Sequence, residues 1–224
     1  MQSKLREDPG VASMAETVRE LTGNPRVKAM IDERMDEFRR VHEMDSNKWY
    51  EELVYCLLTA YSSALMGQRC VDALLRERTI TEGKLQDVQA CLVSEGHRFA
   101  NTRAEYIYKT RHLTSKIKSI IQGFGSSTEA REWLVANVKG FGWKEASHYL
   151  RNVGYFDLAI IDRHILSNMA EHGIITLEDA RKSLSRRRYL AYEEKLAKVA
   201  DMLDMSSGEL DLYLWYRKTG KVLK

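Results

Sequence analysis

Lys144 stands two residues beyond the hairpin Gly140-Phe141-Gly142, and Asp162 follows eighteen residues later inside the apolar stretch "LAIIDRHIL". Glycines at a helix start free backbone N–H groups to face outward, and such groups bind phosphate through hydrogen bonds and the helix dipole. The same dipole disfavours a positive charge at that end, and desolvation acts in the same direction. An amine placed there is therefore a candidate nucleophile. A lone aspartate before "RHILSNMAEHG" reads first as a helix N-cap, and Lys144 taken alone reads equally as a surface lysine.

The elements that must carry these residues are helical. Val138 to Val153 reads as helix end, hairpin and helix. In the second helix, beginning near Trp143, residues Ala146, Tyr149, Leu150 and Val153 form one apolar stripe, and Lys144 points away from it, toward solvent or a cleft. Phe141 is placed to plug the space between the two helices. Upstream, Val27, Met30, Ile31, Met35 and Phe38 repeat at helical spacing behind Asn24 as N-cap and Pro25 in the first turn. "SNKWYEELVYCLLTAY" is apolar nearly all round and predicts a buried central helix. "NTRAEYIYKTRHLTSKIKSIIQG" predicts a helix stopped by Gly123; Ser126 with Glu129 and Ser206 with Glu209 have capping-box spacing, the latter opening a last helix that Gly220 ends. "GYFDLAII" is the one strand candidate, short and isolated, and the N-terminal stretch to about Gly10 is expected to be loose. Both prolines, Pro9 and Pro25, lie near the N-terminus, and the expected class is all-α.

Two hundred and twenty-four residues suffice for one large domain or two lobes. The net charge of +3 is unevenly spread: residues 1–60 carry nine Lys/Arg and twelve Asp/Glu. Residues 98–118 carry six Lys/Arg against Glu105 alone, and residues 181–188 carry five with no acid. That asymmetry suits a polyanion on one side, or else a solvated helical face. Cys56, Cys70 and Cys91 contain no C-x-x-C, which argues against disulfides and a structural zinc and excludes a four-cysteine iron–sulfur cluster. With no signal peptide and no apolar run near 18 residues, the expected location is cytoplasmic, at the nucleoid, with no membrane contact.

"VKGFGWKEASHYLRNVGYFDLAIIDRHIL" resembles the helix-hairpin-helix signature of the DNA glycosylase superfamily. "KGFGWKEASHYLRNVG" with "LWYRKTGKVLK" more narrowly resembles the archaeal-type, second-class 8-oxoguanine DNA glycosylase/AP lyases, over nearly all of the chain from about Gly23. The resemblance implies a two-lobed helical fold with an interlobe cleft, lobe A spanning about 1–50 plus 155–224 and lobe B about 51–154, with the hairpin at 138–153. It implies that Lys144 attacks C1′ and forms a Schiff base, and that Asp162 stabilises the charge developing on the sugar. It places the flipped base between Phe99 and Trp215, each of which reads otherwise as core. It makes the terminal carboxylate of Lys224 the acceptor for the N7 hydrogen that distinguishes 8-oxoguanine from guanine, the alternative being a frayed tail.

Where these enzymes insert a small polar amide into the vacated stack, this chain has Tyr61 in "LLTAYSSALMG"; the wedge is Tyr61, or Ser62 with Tyr61 packed in the core. Arg186, Arg187 and Arg188 receive no role. No metal, nucleotide or flavin is called for, though a monovalent cation fits on the hairpin carbonyls. The expected partner is double-stranded DNA containing 8-oxoguanine, bound by a monomer. Two other readings stay open at this point: a glycosylase for a different damaged base, and a non-catalytic helix-hairpin-helix DNA-binding module.

Overall fold

The computed structural model describes residues 8–224, and every regular element among them is helical. In chain order the helices are α1 (Pro9–Thr22), α2 (Pro25–Glu43), α3 (Ser46–Thr59), α4 (Ala64–Arg76), α5 (Leu85–Ser94), α6 (Ala100–Thr110) and α7 (Ile117–Gln122). They continue as α8 (Ser127–Asn137), α9 (Trp143–Asn152), α10 (Arg163–Glu171), α11 (Leu177–Arg181), α12 (Arg186–Met202) and α13 (Ser207–Thr219). Two compact units result. One contains the described residues through Glu37 together with Phe156–Leu223; the other contains Phe38–Tyr155 and Lys224.

The first unit is built on α1, α10, α12 and α13, which pack on one another. Its N-terminal entry is ordered from Asp8: the Asp8 carboxylate accepts from Gly10 N at 3.0 Å and caps α1. A Cβ on Gly10 would lie 2.6 Å from His172 O, so the helix sits directly on the end of α10. The loose stretch expected up to Gly10 is ordered from Asp8 onward, and its residues 1–7 lie outside the described residues. The strand candidate is also corrected. Residues 155–162 run without regular structure, and Leu158, Ala159, Ile160 and Ile161 are buried. Side chains replace a neighbouring strand: Glu193 accepts from Ala159 N, while the Tyr189 hydroxyl accepts from Ile161 N and donates to Ala159 O.

The second unit forms around α3, which carries ten buried residues from Trp49 to Thr59. Helices α4, α6, α7 and α9 all pack against it. The division between units falls inside α2, at Phe38, rather than near residue 50. The last turns of α2 are held within the second unit: Trp49 Nε1 donates to Val41 O at 3.0 Å, Arg151 lies over the Phe38 ring, and the His42 ring meets Val153 O at 2.8 Å. The single helix expected from Asn101 to Gly123 is broken between α6 and α7 by a 3₁₀ turn at Arg111–Leu113. Arg111 turns its guanidinium onto the carbonyls of Thr79, Ile80, Glu82 and Gly83, and that loop takes the place of helix continuation.

Candidate active site

Lys144 lies in the first turn of α9, and the hairpin before it is fixed by packing. Gly140 has φ +97°, a conformation open to glycine and strained for other residues. A Cβ there would lie 2.4 Å from the Tyr106 ring, so the hairpin backbone rests on α6. Phe141 is buried, with its ring centroid 6.1 Å from that of Tyr149, in the plugging position expected from the sequence. One expectation needs correction. The Gly142 amide does not face outward as a free donor, because Glu145 Oε2 accepts from it at 3.1 Å. Glu145, three positions into the helix, closes the cap from its own side chain. Its other oxygen is 4.0 Å from Lys144 Nζ, and the lysine side chain is 26% exposed, half-buried rather than turned fully to solvent.

The second unit also gathers a polar cluster at Lys224. Glu52, nearly inaccessible on α3, accepts from Lys224 Nζ at 2.8 Å and from Asn152 Nδ2 at 3.1 Å. Tyr55 donates its hydroxyl to Lys224 O at 2.5 Å, and the Lys224 amine sits over the same ring. Lys224 is therefore pinned at both backbone and side chain, which the frayed-tail alternative does not describe. His148 lies one turn after Lys144, edge-on to Tyr55, with Nδ1 buried and without a hydrogen bond among the described residues. Burial holds this ring well below the ordinary histidine range, and the positive charges of Arg151, Lys144 and Lys224 add to the effect. His148 is thus a neutral group near neutral pH.

Three more predicted residues belong to this unit. Tyr61, in the turn between α3 and α4, is 87% exposed with φ +60°. A bulky side chain in the left-handed region is strained, and the packed-core alternative for Tyr61 is excluded. Ser62 is half-buried and donates its amide to Thr59 O. Phe99 is half-buried at the start of α6, its amide donating to His97 Nδ1 at 3.2 Å and the Arg98 guanidinium lying over its ring.

The first unit holds the remaining pair. Asp162 is the N-cap of α10, its Oδ1 accepting from His164 N at 2.8 Å and Ile165 N at 2.9 Å. The capping alternative is therefore realised, yet Oδ2 accepts no hydrogen bond among the described residues, so the cap leaves half of the carboxylate available. Trp215, half-buried on α13, meets the His164 ring edge-on at 4.6 Å between centroids, and its Nε1 is buried without a hydrogen-bond partner among the described residues. His164 thus links Asp162 and Trp215. His148, Glu145, Glu52 and His164 receive no role from the sequence alone, although the i+4 spacing of Lys144 and His148 and the capping spacing of Gly142 and Glu145 are both readable in it. Arg188, also unassigned, spends its guanidinium on Ser183 O, Asp179 O and the Tyr192 hydroxyl and is structural.

Residues 31–205, well over half of the chain, match the family model described as 8-oxoguanine DNA glycosylase. A Korarchaeum cryptofilum protein named 8-oxoguanine DNA glycosylase/AP lyase is 45% identical over 215 residues, covering 96% of this chain and all of the relative. The chain belongs to the 8-oxoguanine DNA glycosylase family. A Methanocaldococcus jannaschii protein named 8-oxoguanine DNA glycosylase/AP lyase is 43% identical to this glycosylase-family chain, covering 90% of it and 95% of the relative. The crystal structure of the M. jannaschii 8-oxoguanine glycosylase/lyase with a 15mer DNA containing 8-oxoguanine is similar at a TM-score of 0.89 and 40% identity, over 95% of this family member and 100% of that chain. The Thermotoga maritima 8-oxoguanine DNA glycosylase superposes at a TM-score of 0.86 with 38% identity, over 96% and 100% of the two chains. Among the described residues of this glycosylase-family member, no helix is long and apolar enough to cross a membrane.

Proposed function

We propose that this chain removes 8-oxoguanine from double-stranded DNA and then cleaves the resulting abasic site. The Lys144 amine, in its neutral form, attacks C1′; the C1′–N9 bond breaks, and the base departs with the electron pair and takes up a proton. The Asp162 carboxylate stabilises the positive charge that develops on the deoxyribose. Opening of the sugar ring with loss of the amine proton yields a Schiff base between Nζ and C1′. A base then removes a C2′ proton, the C3′–O bond breaks, and the 3′ phosphate leaves. Water hydrolyses the remaining imine and frees the lysine.

The observation that carries this reading is the half-buried amine of Lys144 in the first turn behind a hairpin whose backbone is locked on α6. Family membership supports the substrate, since the relatives are named for 8-oxoguanine. In the same proposal Phe99 and Trp215 each offer an aromatic face to the flipped base, Lys224 contacts it from its fixed position on Tyr55 and Glu52, and Tyr61 enters the vacated stack. Base extrusion costs a few kcal/mol, which these contacts offset. No step requires a metal, nucleotide or flavin; a monovalent cation on the hairpin carbonyls would serve only to bridge protein and phosphate. The protein acts as a monomer on chromosomal DNA, and that places it at the nucleoid.

The test is borohydride trapping on a duplex holding 8-oxoguanine. Wild type forms a covalent adduct and Lys144→Gln forms none while still binding the duplex. If wild type binds but does not trap, the non-catalytic helix-hairpin-helix reading replaces this one.

A further inference from the structure

The Tyr61 turn is held in a way its exposure does not suggest. Arg103, on α6 and 6% exposed, donates from Nη2 to Ala60 O at 3.0 Å. His97 makes a second contact from Nε2 to Leu58 O at 2.9 Å, and its Nδ1 accepts from Phe99 N, so Nε2 carries the proton. The two carbonyls that lead into the turn are thus clamped by buried cationic and imidazole donors. A tyrosine in the left-handed region persists only when its surroundings over-determine it. Arg103 meets the hairpin side as well: its guanidinium lies 5.6 Å from the Tyr106 ring centroid, and the Gly140 backbone rests on that ring. Burial holds the Arg103 guanidinium below the ordinary arginine value, an effect that the neighbouring Tyr106, Glu145 and Tyr61 oppose. The Arg103 Nε is buried and makes no hydrogen bond among the described residues, so the Ala60 carbonyl is the main polar return for burying this side chain.

We propose that Arg103 is a positioning residue for opening the duplex: it ties the Tyr61 turn to the Tyr106 face that supports the hairpin, so that turn and hairpin meet DNA as one rigid piece. The inference rests on the proposed excision of a base from paired DNA. Arg103 touches no reacting atom in this account; it determines where Tyr61 stands when a paired base must leave the stack. The requirement disappears when the lesion is already unpaired.

The experiment compares single-turnover cleavage of 8-oxoguanine in a fully paired duplex with cleavage of the same lesion in an unpaired bubble. Arg103→Lys is expected to slow the paired substrate about tenfold, from loss of a charge-assisted hydrogen bond, and the bubble less than threefold. Tyr61→Ala slows the paired substrate as well, and Tyr61→Ala combined with Arg103→Lys is no slower than the slower single variant, since both act through one turn. Should Arg103→Lys unfold by circular dichroism, Arg103→Met, which removes the donor to Ala60 O and keeps an unbranched side chain, serves in its place. Equal losses on paired and bubble substrates, or losses that multiply in the double variant, overturn the inference while leaving the enzymatic reading intact. A wild type inactive on both substrates refutes the enzymatic reading and this inference with it.

Discussion

Asp162 is both a helix cap and, in the proposed mechanism, the charge that stabilises the transition state, and the two roles separate by substitution. Asp162→Asn keeps an oxygen to accept from His164 N and Ile165 N, because asparagine caps about as well as aspartate. What the variant loses in stability is the charge–dipole attraction at the start of α10, about 0.3–1 kcal/mol. Asp162→Ala loses the cap as well, about 1 kcal/mol further. For a protein of this size about 1 kcal/mol corresponds to a Tm change of about 2–4 °C. Asp162→Asn should therefore melt within about 4 °C of wild type and Asp162→Ala lower than that. Excision follows a different order. Both variants remove the negative charge and should slow single-turnover base release by about 10²–10³, the scale for loss of one preorganised electrostatic contact. The assay is single-turnover cleavage of an 8-oxoguanine duplex beside a thermal melt of the same preparations. If Asp162→Asn releases base within threefold of wild type while Asp162→Ala is slow, the carboxylate works only as a cap and the charge argument fails.

Two other perturbations address the scaffold. Gly140→Ala puts a Cβ into the Tyr106 ring at φ +97°, and should cost about 1–3 kcal/mol while weakening binding to lesion and undamaged duplexes by a similar factor, measured by fluorescence anisotropy; a loss confined to the lesion duplex would contradict a backbone-gripping hairpin. The hydrogen bonds from Lys218 and Arg217 pull Glu171 down to about 2, so its folded-state value lies below the unfolded one and its stabilisation is present above about pH 4.5 and lost as the pH falls toward about 2. Glu171→Gln should thus lower Tm at pH 7 and leave it nearly unchanged near pH 2. Because the carboxylate is 40% exposed, screening reduces the effect to about 1 kcal/mol, and an equal Tm change at both pH values would rule out the ion pairs as its source.

The parts of the site that are local in sequence were legible there. Gly140, Phe141 and Gly142 define the hairpin, the stripe Ala146, Tyr149, Leu150 and Val153 defines α9, and Asp162 sits at a helix start where a capping residue belongs. The unread parts join residues far apart in the chain. Glu52 and Lys224 are separated by 172 positions, and Arg103 and Ala60 by 43. Such contacts leave no periodic trace, because each needs only one polar side chain at the right depth. The break between α6 and α7 was hidden for a related reason. Its apolar period continues through Leu113 and Ile117, and the interruption comes from Arg111 binding the carbonyls of a distant loop. Glu145 was within reach of local reasoning, since a glutamate three residues after Gly142 has capping spacing, and it claims an amide otherwise assigned to phosphate.

The account turns on one covalent bond, between Nζ of residue 144 and C1′ of the damaged nucleotide. Borohydride reduction during turnover, followed by proteolysis and mass spectrometry of the adduct, identifies the attached side chain directly. The account predicts a deoxyribose remnant on the peptide containing Lys144 and on no other. A remnant on Lys139 or Lys224, with Lys144 unmodified, would contradict it.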